Sequence, residues 1–159
     1  MRRLHLLALA LSALVCLAAC APETSGISVQ GVALTDEHLL QGHMLFTAWC
    51  AGCHGDQGEG QFPGIAGLEP SPITNRIGAP PHNSAGHTWH HSDDPLVRYV
   101  LEGGFTDPSA FYPMPGFGWR LSVDDARHIV GYIKTLWTDE QRMMQARTTQ
   151  DEMALLAGQ

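Results

Sequence analysis

The stretch Cys50-Ala51-Gly52-Cys53-His54 carries the chain's most specific chemistry. Two thiols at this spacing sit on about one turn of backbone, so each can add to one vinyl group of the same porphyrin. His54 follows at once and can present an imidazole nitrogen to the iron. The pattern C-x-x-C-H therefore reads as an attachment site for one covalent c-type haem. Two other chemistries use paired cysteines. A thioredoxin-like dithiol needs a βαβ setting and has no trailing histidine. A structural zinc site needs four ligands, and no cysteine follows Cys53.

An iron with six ligands needs a second protein donor opposite His54. Met114 is one candidate: Pro113 and Pro115 flank it, restrict the backbone and would stiffen a loop that holds a thioether. The opposing reading is that Met114 fills core space. The stretch Pro80 to His91 offers histidines instead, at His82, His87, His90 and His91. His90 or His91 could replace Met114 on iron. His87, His90 and His91 could also gather a second metal, copper or zinc, or act as ordinary polar loop residues. Trp89, Trp119 and Tyr112 are candidates for the haem edge, and Arg76 or Arg120 for pairing with a propionate, which is costly to bury without a donor.

Something must position these residues. Residues 1–19 are a basic then apolar export signal, with Arg2 and Arg3 ahead of a run from Leu4 to Ala19. Leu17-Ala18-Ala19-Cys20 resembles the bacterial lipoprotein box, which implies cleavage before Cys20 and a lipid on its thiol. Cys16 leaves with the signal, so no pair of cysteines remains for a disulfide. The 140 residues from Cys20 onward suit one domain. They hold 7 basic and 16 acidic residues, a net charge of −9, which argues against nucleic acid as a partner and for basic protein surfaces.

Residues 20–34 are small and polar and read as a lipid-anchored tether. A first helix is expected from about Asp36 to Ala51, capped by Thr35, with Gly42 and Phe46 on one face. Residues 55–91 show no sustained period. A loop of that length fits a compact domain only if a haem supplies packing partners for side chains such as Ile65, Leu68 and Ile73. A short helix is expected near Asp94-Pro95, with Leu96, Val97, Val100 and Leu101 as its stripe. A last core helix follows Ser122, with Asp125 completing a capping box and Ile129, Val130, Ile133, Leu136 and Trp137 inward. His38, His43 and His128 fall in helices, at the surface or its boundary. Residues 138–159 read as a helical or flexible tail on the surface.

In this order, residues 35–137 resemble a class I cytochrome c. The matching pieces are Gly42 and Phe46, then Cys50 to Gly55, then Met114-Pro115-Gly116-Phe117, then His128 to Trp137. The resemblance implies an all-α fold of three to five helices around one covalent haem, with long Gly/Pro-rich loops. In it, Gly42 and Phe46 would meet Ile129, Ile133 and Trp137 where the first and last helices cross. It also implies His54 and Met114 as axial ligands and one-electron transfer. The function expected is that of an electron carrier on the outer side of a bacterial membrane, serving redox partners such as a respiratory complex or oxidase. The alternatives are a haem-containing subunit or small redox enzyme, or a copper-binding protein using His87, His90 and His91.

Overall fold

Gly42 is the point where the fold closes. The computed structural model describes residues 24–62, 70–104 and 109–158. The export signal, Cys20, Ile65 and Leu68 lie outside them. Helix α1, Asp36–Trp49, buries Gly42 and Phe46 against a later helix, Val123–Thr135. A Cβ on Gly42 would overlap the carbonyl oxygen of His128 on that helix. Glycine inside a helix costs about 1 kcal/mol relative to alanine, and here the close crossing of the two backbones offsets it. Thr35 caps α1 by accepting from the His38 N–H at 3.3 Å, and His38 Nδ1 accepts from the Thr35 N–H at 3.2 Å. A histidine thus takes the place of the usual Glu in a capping box.

Helix α2 is the single turn Ala51–His54. A 3-10 turn, Thr88–His90, precedes helix α3, Asp93–Glu102, which turns Leu96, Val97 and Val100 into the core. Ser92 occupies the N-cap of α3 without a side-chain bond. The Asp93 N–H instead donates to the Thr149 hydroxyl at 3.1 Å, so the cap comes from a distant element. Helix α4, Val123–Thr135, starts with Ser122 and Asp125 bonded reciprocally, as the sequence indicated. Its Ala126, Ile129 and Val130 are at most 1% exposed, which puts the centre of the core at the α1–α4 crossing.

Two segments differ from the sequence expectation. Residues 24–35 are no unpatterned tether: strands β1, Thr24–Val29, and β2, Val32–Thr35, form an antiparallel hairpin with Val29 paired to Val32. Gln30 and Gly31 both have positive φ, the backbone that a two-residue hairpin turn requires. Val29 and Leu34 are buried, so the hairpin is a flap of the core. The tail is more than a surface appendage. Residues Asp139–Ala157 form helix α5, opened by a Thr138–Gln141 capping box, and Gln145 within it is 1% exposed. Among the described residues no helix is long and apolar enough to cross a membrane.

Candidate functional site

The Cys50–His54 turn follows directly on the C-terminal end of α1. The Cys50 N–H donates to Phe46 O at 2.8 Å, and the His54 N–H donates to Cys50 O at 2.9 Å. Chain direction changes at Gly55, whose φ is +81°. Cys50 is buried and Cys53 is exposed. Burial, followed by the neighbouring Cys53, pushes the Cys50 thiol up to about 12. Among the described residues the two thiols lack the further ligands of a zinc site. Paired cysteines followed at once by a buried histidine fit one covalent haem.

His54 is 5% exposed. Its Nδ1 lies 2.9 Å from the carbonyl oxygen of Pro80. A carbonyl only accepts, so Nδ1 carries the proton and Nε2 is left with a lone pair for a metal. Burial lowers the His54 pKa, against the Pro80 carbonyl, which raises it. The neutral, ligating form is favoured.

The loop that supplies Pro80 is tied to the attachment turn at Gly60 and to itself at two further points. The Gly60 N–H donates to His54 O at 2.7 Å, the His82 N–H to Gly58 O at 2.7 Å, and the Gln61 N–H to Ala79 O at 2.9 Å. His82 places its ring on that of His54, with centroids 4.0 Å apart and planes 22° from parallel. Its Nδ1 lies 2.8 Å from the Thr88 hydroxyl, which also reaches Pro81 O at 3.3 Å. The Trp137 indole N–H donates to His82 O at 2.8 Å. Burial, then the nearby His54 and His87 rings, holds His82 well below the usual histidine range. Sequence reasoning placed His82 only in a histidine-rich loop. The missed signal is its place two residues after Pro80.

The Met114 loop is pinned to the end of α3. The Gly104 N–H donates to Met114 O at 3.0 Å, the Phe117 N–H to Val100 O at 3.0 Å, and the Gly118 N–H to Leu101 O at 2.8 Å. Gly103 permits this with φ +91°; a Cβ there would lie 2.6 Å from Met114 O. Met114 is half-buried. Trp119 is 77% exposed and meets Trp49 edge to face at 6.2 Å. Arg76 donates to Phe111 O at 2.7 Å and lies over the Tyr112 ring at 4.4 Å, and Arg120 is exposed. Ile73 stands 92% exposed rather than buried.

The histidine trio does not assemble. His87 and His91 meet edge to face at 5.6 Å, and His90 packs on Trp89 at 3.8 Å. Among the described residues no three His, Cys, Asp or Glu side chains could share a metal ion. Of the two readings of this trio, a copper or zinc site and ordinary polar loop residues, the arrangement favours the second. His90 itself is exposed on the 3-10 turn.

Residues 39–137 match the sequence profile of the family described as Cytochrome c. No curated protein matches the chain. Solved structures resemble it, among them two of cytochrome cL. One is cytochrome cL from the marine methylotrophic bacterium Methylophaga aminisulfidivorans MPT, at 19% identity over 69% of this chain, with a TM-score of 0.48. The alignment spans 61% of that protein's chain. The other is cytochrome cL from Hyphomicrobium denitrificans, at 20% identity over 77% of this chain and 84% of that one, with a TM-score of 0.44.

Proposed function

The chain belongs to the cytochrome c family, and from that premise we propose that it is an exported, lipid-anchored one-electron carrier on the outer face of a bacterial membrane. The family makes it an electron-transfer protein with a covalent c-type haem rather than an enzyme. Cys50 and Cys53 are the attachment cysteines in this reading, His54 is the proximal ligand and Met114 the distal one. The observation that carries it is the hydrogen bond from His54 Nδ1 to the Pro80 carbonyl, which leaves the Nε2 lone pair available to an iron. A haem so held supplies a one-electron couple whose reduced form the thioether favours.

The remaining work falls to the polypeptide. Pro80 orients His54, the α3 contacts hold the Met114 backbone, and the α1–α4 core keeps the two sides at a fixed spacing. A site that keeps its ligands in both oxidation states reorganises little. The acidic surface suits brief, steered encounters with basic patches on redox partners such as a respiratory complex or oxidase. Cys20 would hold the domain at the membrane, just ahead of β1.

The test is an absorption spectrum of the matured protein before and after acid–acetone extraction. Colour that stays with the polypeptide, plus the weak red band of sulfur–iron ligation, is expected. Met114→Ala should remove that band and let the ferrous protein bind carbon monoxide. A wild type that already binds carbon monoxide, with no change in the variant, rules Met114 out as the ligand.

A further inference from the structure

One hydrogen bond fixes one atom of an imidazole; it does not fix the ring's plane. Among the described residues the His54 ring has a single hydrogen bond, from Nδ1 to Pro80 O. The face contact with His82 supplies the missing constraint, because two flat rings 4.0 Å apart resist tilting against each other. His82 is itself held at several points. Thr88 anchors its Nδ1, the Trp137 indole its carbonyl, Gly58 its N–H, and the Phe46 ring meets it edge to face at 6.4 Å. Phe46 and Trp137 belong to the α1 and α4 ends of the core and are at most 4% exposed. An aliphatic side chain could fill this space, but it would not offer a plane or a ring nitrogen to anchor.

We propose that His82 is a positioning residue that sets the plane of the His54 imidazole, with Thr88 as its anchor. The inference rests on the reading of His54 as the iron ligand. Its consequence is electronic: the plane of an axial imidazole decides which porphyrin orbitals its nitrogen overlaps, and so the spin distribution of the ferric state. A residue that only filled volume would leave that distribution alone.

The experiment is proton NMR of the ferric holoprotein, reading the four haem methyl resonances, with the reduction potential measured alongside. His82→Ala should change the order or spacing of these resonances and shift the potential. His82→Phe keeps a flat face but loses the Thr88 anchor, so it should shift the pattern in the same direction as His82→Ala and by less. Thr88→Val, which leaves both rings in place but frees the plate, should shift the pattern in the same direction as His82→Ala and by less. A wild-type pattern in His82→Ala overturns the proposal, as does a Phe variant shifted as far as the Ala variant. If the Ala variant does not mature, an unchanged pattern in Thr88→Val overturns it. A wild type that carries no covalent haem would fail the underlying reading instead, and the two failures cannot be confused.

Discussion

Lys134 Nζ lies 2.6 Å from Asp93 Oδ1, with both side chains at most 7% exposed. The pair ties four elements together. Lys134 on α4 also donates to Ser28 O of β1 at 2.8 Å. Asp93 on α3 accepts from the Gln30 N–H of the hairpin turn at 2.8 Å and from Gln145 Nε2 of α5 at 2.7 Å. Gln145 further donates to His91 O at 3.2 Å. Burial lowers the Lys134 pKa more than Asp93 raises it, so desolvation is the larger effect on the lysine. Such a pair adds little net stability when intact but is costly to break from one side.

Lys134→Met should therefore destabilise the fold by about 3 kcal/mol, the low end of the usual range, because Asp93 keeps two donors. Adding Asp93→Asn removes the stranded charge and should recover part of the loss. The check is the denaturant midpoint at constant slope. A single variant as stable as wild type would show that Asp93 is not buried as a charge.

That knot explains what the sequence left hidden. The haem motif, Ser122 with Asp125, and the Gly42–Phe46 face were legible because each is a local pattern with its own chemistry. The hairpin was not, because Gln30-Gly31 is a weaker turn signal than Asn-Gly, and the strands are held by residues far along the chain. The docking of α5 was invisible for the same reason: its one buried side chain is a glutamine, which carries no apolar signature. The His54–Pro80 bond spans 26 residues, and no spacing rule within one element could reveal it. The histidine run stayed open in the sequence because backbone geometry, not sequence proximity, decides which side chains converge.

Gly42→Ala sets two effects against each other. Alanine should gain about 1 kcal/mol of helix propensity. Its methyl would meet the His128 carbonyl, which is backbone and cannot rotate aside. Overpacking of a core costs about 1–3 kcal/mol, and the upper end applies where a backbone must shift. The net expectation is a loss of about 1–2 kcal/mol, read as a lower thermal midpoint. An unchanged or raised midpoint would mean that α1 and α4 do not cross at this residue.

His128 makes the same crossing sensitive to acid. Its ring stacks on His38, with centroids 4.5 Å apart and planes 10° from parallel. Its Nδ1 is buried without a hydrogen-bond partner. Burial lowers its pKa first and the facing His38 lowers it further, while Asp124 and Asp125 pull the other way. The ordinary value is 6.5, so in the window just below it the unfolded chain holds more protons than the folded one. Stability then rises with pH across that window, and it falls as the pH drops below 6.5. His128→Gln removes this titration but leaves the other depressed histidines, His54, His82, His87 and His91, in place. The variant should lose less stability than wild type between about pH 7.5 and about pH 5.5, measured as the difference in denaturant midpoints. Equal losses in the two proteins would mean that the His38–His128 stack opens without cost on protonation, and the acid sensitivity would have to lie elsewhere in the chain.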